Sequence, residues 1–310
     1  MTLSKHQRII GGLLSLALSL PMAVAAAAPL KVVTSFSILN DLVQQVGGDK
    51  VEAITLVGPE SDAHSFEPKP SDAQYLRNAD LLVINGAQFE AWLPKLTQAA
   101  GYQGEIIAAS TDVPLRAYAE EHHDHDEEHD HHEHGAFDPH AWQNLDYAQI
   151  YVQNITAALG RIDPENQPYY EQRAGQYQQA MQALHTQLVA QFAALPASKR
   201  TVVSSHEAFS YLGQAYGLNF LSLLGSSNQA EPSAKELADL IRYMREHQVQ
   251  AVFIENISSP RLIEQIARET DAVVGKTLYS DALAISPHPA DTYLGMMQWN
   301  AEALLEALNP

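Results

Sequence analysis

The stretch PENQPYYEQRAGQYQQAMQALHTQLVAQFAAL, residues 164–195, decides how the chain is organised. Its glycine content is Gly175 alone. After Pro164 its one proline is Pro168, early enough to sit in or just before a first helical turn. Tyr170, Ala174, Tyr177, Met181, Leu184, Leu188, Phe192 and Leu195 recur at spacings of three and four, an apolar stripe along one helical face. About 25–30 residues at 1.5 Å each make a helix roughly 38–45 Å long. A coiled-coil dimer is the alternative, but about four heptads with alanine and tyrosine in the seam are weak for that. The reading is a monomer in which residues 163–196 form one rigid connector lying along two lobes.

On both sides of this connector, strands and helices alternate. Before it come strand Leu30–Phe36, helix Ile38–Val46 stopped by Gly47-Gly48, strand Val51–Val57, helix Ser71–Ala79, strand Leu81–Asn85, helix Phe89–Ala100 and strand Gly104–Ser110. After it come strand Thr201–Ser204, helix Ala208–Tyr216 and strand Leu218–Leu224. A helix opened by Ser233 and Glu236 at capping-box spacing follows, then strand Ala251–Glu255, helix Arg261–Thr270, strand Ala272–Leu278 and a last helix over Thr292–Leu308. This is an α/β chain of two lobes, 29–162 and 197–310, each a mainly parallel sheet flanked by helices.

The chain has 310 residues, 46% hydrophobic and 18% charged, ordinary for two globular domains. Its net charge of −19 includes no basic patch, which argues against nucleic acid as a partner. Lys5 and Arg8, the apolar run Ile9–Leu20 and the alanines of Ala23–Ala28 read as a secretory signal peptide over 1–28. There is no cysteine, hence no disulfide, no thiol ligand and no acylation site for a lipid anchor. The expected location is the periplasm, without a membrane anchor.

In parallel sheets, ligands bind beyond the carboxyl ends of the strands. Four polar residues fall at such ends: His64 in SDAHSFEPKPSD, His140 in FDPHAW, His206 in TVVSSH and Asp281 in TLYSDAL. Two come from each half of the chain, so facing lobes bring all four into one cleft. Three imidazoles and a carboxylate make a tetrahedral zinc set with no open position, suited to holding an ion rather than activating water. The rival reading is a zinc hydrolase with Glu207 as base. It lacks HExxH, since His206-Glu207 has no second histidine four residues on.

These residues resemble the metal-specific solute-binding proteins of ABC importers, the ZnuA/TroA type also called cluster A-I or cluster 9. The resemblance is carried by GPESDAHSFEPKPSDAQYLRNADLLVINGAQFEAWL (58–93), FDPHAWQN (137–144), VVSSHEAFSYL (202–212), QAEPSAKELADLI (229–241), VFIENISSPRLIEQIARET (252–270) and TLYSDALA (277–284). It implies two lobes on one long rigid helix, metal ligands at His64, His140, His206 and Asp281, an ABC permease as partner and no enzymatic activity. Histidine at 206 resembles the zinc branch; a carboxylate there would resemble manganese or iron importers, and those remain the alternative. The disulfide of many zinc-type relatives is impossible here.

Residues 120–134 carry eight carboxylates and seven histidines: His122, His123, His125, His129, His131, His132 and His134. With nothing apolar to bury, this run is expected to bind further zinc ions weakly, as an accessory collector or sensor beside one tight site. The competing roles are a solvated acidic loop and a docking element for a metallochaperone or the transporter. Glu207 and Glu255 are candidates to orient His206. His185 and His247 read as solvent-facing, His288 as a loop residue at the cleft rim, and Trp142 as a shield of the cleft.

Overall fold

A computed structural model describes residues 28–118, 136–222, 224–225 and 232–309. The expected signal peptide and the histidine-rich run lie outside the described residues. The first lobe runs β1 (Leu30–Phe36), α1 (Ser37–Gly47), β2 (Val51–Val57), α2 (Pro70–Arg77), β3 (Leu81–Ile84), α3 (Leu93–Ala100) and β4 (Glu105–Ala108). Then α4 (Leu145–Ile162) leads into the long helix α5 (Gln167–Ala193). The second lobe has β5 (Thr201–Ser204), α6 (Ser210–Tyr216), β6 (Asn219–Ser222), α7 (Ala234–Glu246), β7 (Ala251–Val252), α8 (Arg261–Thr270) and β8 (Val273–Val274), and α9 (Tyr293–Leu308) ends the chain. The sheets are parallel, with orders β2-β1-β3-β4 and β6-β5-β7-β8, so the two lobes share one topology.

The connector stripe is the buried face of α5. Tyr170, Ala174, Met181, Leu188, Phe192 and Leu195 are buried, and Tyr177 and Leu184 are half-buried. Each large side chain so buried stabilises by about 1.5–3 kcal/mol. The apolar core passes from the first sheet through α5 to Phe209, Tyr211 and Tyr293 without interruption, and a smaller core packs α7 and α8 on the far side of the second sheet. Polar ties reinforce it. Asp41 of α1 accepts Tyr293 N at the start of α9 (2.9 Å) and Tyr177 Oη of α5 (3.4 Å), while Arg173 Nε donates to Gln45 O (2.9 Å). A core shared this way resists independent swinging of the lobes.

Three local expectations change. The helix read from Phe89 starts at Leu93, because Gly86, Ala87 and Gln88 all take positive φ and turn the chain sharply. This turn is held by the buried Glu90 carboxylate, which accepts Ser35 Oγ (2.7 Å), Asn85 N (2.6 Å) and Gly86 N (3.2 Å). Strands β7 and β8 are shorter than their apolar runs. The Phe253 ring lies over Gly275, where a Cβ would come within 2.2 Å of it, and the ladder resumes as one bridge, Glu255–Leu278. His185 is half-buried rather than solvent-facing, with Nε2 3.5 Å from Asp146 and Nδ1 3.4 Å from Tyr216 Oη. His247 is exposed, and Ser233 and Glu236 form the expected capping box of α7.

Candidate metal centre

His64 sits in the loop after β2, His206 just past β5, and Asp281 three residues after the Glu255–Leu278 bridge. His140 enters from the segment between β4 and α4, its ring against Trp142 (5.2 Å between centroids). His64, His206 and Asp281 therefore lie beyond carboxyl ends of the strand ladders, His140 joins them from the segment before α4, and the ligand atoms all fall within 4.8 Å of one another. His64 Nε2 is 3.3 Å from His140 Nε2 and 3.2 Å from Asp281 Oδ2. His206 Nε2 is 3.3 Å from Asp281 Oδ2, and His140 Nε2 is 3.6 Å from Asp281 Oδ1. A tetrahedral ion with bonds of about 2.0–2.1 Å spaces its ligand atoms roughly 3.3–3.4 Å apart.

The environment suits a cation. The side chains of His140, His206 and Asp281 have no exposed surface, and that of His64 has 10%. Among the described residues, His206 Nε2 and both Asp281 oxygens have no well-aligned hydrogen-bond partner. Such buried polar atoms are costly unless something satisfies them. An ion among the four donors does so, and also separates the facing His64 and His140 nitrogens. Phe36, Phe89 and Trp142 wall the first-lobe side, with Phe89 4.6 Å from the His64 ring.

Carboxylates stand behind two of the histidines. Glu255 Oε1 accepts His206 N (2.9 Å), and its Oε2 is 2.6 Å from Nδ1. Asp138 Oδ1 accepts His140 N (3.0 Å) and lies 2.7 Å from Nδ1. Both leave Nε2 facing the cleft, which fixes ring direction and makes the nitrogen a better donor to metal. Burial pulls the His206 pKa down, but Glu255 and Asp281 outweigh it and hold the imidazole well above its ordinary value. Burial likewise pushes Asp281 up, and His140 and His206 overcome this to hold it well below the usual carboxylate range.

Sequence reading singled out Glu255 but not Asp138, and proposed Glu207. Glu207 is exposed and lines a 340 Å³ cavity beside His206 with Arg116, Ser204 and Ser210. Asp138 also ties the lobes: Ser210 Oγ donates to its Oδ2, and Tyr211 Oη donates to its carbonyl (2.9 Å). His288 accepts Ala290 N (3.0 Å) and packs on Tyr279 and Trp299, as a loop residue would. Residues 117 and 137 are joined by an antiparallel bridge, so the described ends of the chain flanking the histidine-rich run meet next to Asp138.

Comparison with known proteins agrees with this architecture. The chain is 35% identical over 285 residues to the high-affinity zinc uptake system protein ZnuA of Bacillus subtilis, covering 90% of this chain and 88% of that protein. It is 30% identical over 286 residues to the manganese ABC transporter substrate-binding lipoprotein PsaA of Streptococcus pneumoniae, covering 90% and 89%. The solved structure of the periplasmic zinc binding protein TroA from Treponema pallidum superimposes with a TM-score of 0.82 at 27% identity, covering 91% of this chain and all of that one. Residues 32–307 match the family described as ZnuA, zinc-uptake complex component A, periplasmic, and the chain belongs to that family of metal-binding ABC-importer components, which are not enzymes.

Proposed function

We propose that this chain carries one Zn²⁺ in the cleft on His64, His140, His206 and Asp281, and delivers it to the permease of an ABC importer. The observation that carries the reading is the donor set: three imidazole nitrogens and one carboxylate, all within 4.8 Å of one another in a buried site. Imidazole-rich sets suit zinc, whereas manganese prefers more oxygen. With four protein donors already placed, the ion is held rather than left open to substrate or reactive water. Residues 1–28 are read as a cleaved signal, the mature chain as a periplasmic monomer, and the histidine-rich run as a collector of further zinc. The names of relatives point to manganese as well as zinc, so the decisive experiment is equilibrium competition of Zn²⁺ against Mn²⁺ with bound metal counted. One zinc per chain should survive dialysis, and His64→Ala, His140→Ala or His206→Ala should each abolish its retention. Tight manganese with zinc excluded would overturn the zinc assignment, and histidine variants that keep their zinc would overturn the cleft site.

A further inference from the structure

The loop that carries His64 is strapped across the cleft. Glu60 N donates to Leu283 O at 3.0 Å, and Asn256 Nδ2 donates to Glu60 Oε2 at 3.1 Å. Leu283 is two residues beyond Asp281, and Asn256 follows Glu255, so the strap joins a first-lobe loop to the segments bearing two residues of the centre. Asn256 is itself fixed: its N donates to Leu278 O (3.0 Å), and Nδ2 is shared with Ala282 O (3.2 Å). Both partners of Nδ2 are acceptors, which sets the orientation of the amide. Glu60 holds a left-handed backbone, φ 55°, a strained conformation for a residue with a Cβ. The bonds across the cleft hold it there.

The two cross-cleft ties differ in their access to water. Asp138, tied to Ser210 and Tyr211, is 2% exposed, and separating it would strand a buried carboxylate. Glu60 is exposed, and water can take over its hydrogen bond at small cost. His64, the residue of the centre on the Glu60 side, is also the one whose side chain reaches solvent. Resting on the cleft reading above, we infer that Glu60 and Asn256 form a latch that holds His64 in place and sets the rate at which the ion leaves, by the His64 side of the cleft. They are positioning residues, without contact to the ion.

The test is zinc release from the loaded full chain into excess chromophoric chelator, followed by stopped flow, beside the visible spectrum of the Co²⁺-loaded protein. Glu60→Ala and Asn256→Ala should each release zinc about tenfold faster, and the double variant no faster than either. Glu60→Gln keeps an acceptor oxygen for Asn256 and should stay within twofold of the parent. Glu67→Ala, which removes an exposed carboxylate from the same loop, should do so too. Alanine at 60 keeps the backbone requirement, so the comparison isolates the side chain. The Co²⁺ spectrum should be the same throughout, showing an intact donor set. If Asn256→Ala fails to fold, the two Glu60 variants carry the test. Release from Glu60→Ala within twofold of the parent, equal acceleration by Glu67→Ala, or an altered Co²⁺ spectrum would overturn the latch alone. A parent chain that takes up no zinc would overturn the cleft reading and the latch with it.

Discussion

Replacing Glu255 by glutamine removes one charge from behind His206 and should change both how tightly zinc binds and how many protons it displaces. Glu255 is 1% exposed and touches His206 at N and Nδ1. In the metal-free chain burial alone would leave the imidazole neutral; Glu255 and Asp281 instead hold its pKa well above the ordinary range. Zinc therefore competes at His206 with a proton that these two carboxylates favour. With glutamine, the larger of the two carboxylate influences is gone and burial regains ground. Proton release on zinc binding at pH 7 should therefore be smaller in the variant than in the parent. Loss of an orienting partner typically weakens a metal site 10–100-fold, about 1.4–2.7 kcal/mol. That full deficit should appear at pH 8.5, where proton competition is least. As pH falls, proton competition penalises the parent more than the variant, so the gap narrows. The assay is titration calorimetry in buffers of different ionisation enthalpy, with chelator competition from pH 8.5 to 6.5. Equal proton release in parent and variant, with parallel affinity profiles, would refute the reasoning.

In the metal-free chain, the raised His206 pKa contributes stability that is fully present below the unfolded value near 6.5 and lost as pH rises through the folded one. His206→Asn should therefore lower the melting temperature most in mild acid and progressively less toward alkaline pH; scanning calorimetry showing a constant gap would contradict this. Trp142 is fully buried and donates from Nε1 to Ser280 O (2.9 Å), beside Asp281. Trp142→Ala should cost about 3–5 kcal/mol. At about 2–4 °C per kcal/mol for a chain near this size, melting should fall by roughly 6–20 °C. Excision of residues 120–134 should leave one tight zinc per chain and abolish weaker binding, since all four proposed ligands lie elsewhere and residues 117 and 137 are already bridged. Metal counting before and after dialysis decides it, and loss of the tight ion would place the run inside the primary site.

Much of the fold was legible because it rests on periodicity. The stripe has helical spacing; five of the eight residues read from the sequence are buried in α5, and a sixth, Leu195, is buried just past its end. The turn at Gly86–Gln88 was not legible. Ala87 and Gln88 carry no preference for positive φ, and what holds them is a carboxylate, Glu90, whose acceptor role depends on Ser35 from another element. Apolar composition alone also does not say how far a strand stays paired. The run AVFIE looks like five strand residues, but its ladder narrows where Phe253 needs the space over Gly275.

The candidate site divides in the same way. Strand-end placement brought His64, His140, His206 and Asp281 forward, because a parallel sheet aims its carboxyl ends at one crevice. Adjacency put Glu207 forward as well, and in the structure it is exposed beside the buried His206. The carboxylates that take the histidine backbone N–H groups come from two residues away or from the next strand. His64 and His140 use the first solution: each has an aspartate two residues before it, and Asp62 Oδ1 and Asp138 Oδ1 accept the respective histidine N–H at 2.8 and 3.0 Å. The pattern D-x-H is thus shared by Asp62-Ala63-His64 and Asp138-Pro139-His140, and it recurs in the histidine-rich run at Asp130-His131-His132. His206 has Ser204 at that place and uses the second solution. The register Val203–Val252 brings position 206 level with position 255, and Glu255 accepts the same backbone N–H at 2.9 Å. One requirement, a carboxylate on the backbone N–H of every histidine, is met locally twice and through strand pairing once. The local cases were open to reading from spacing alone; the third needed the strand order. All three carboxylates add negative charge around the three imidazoles, which favours a dication there.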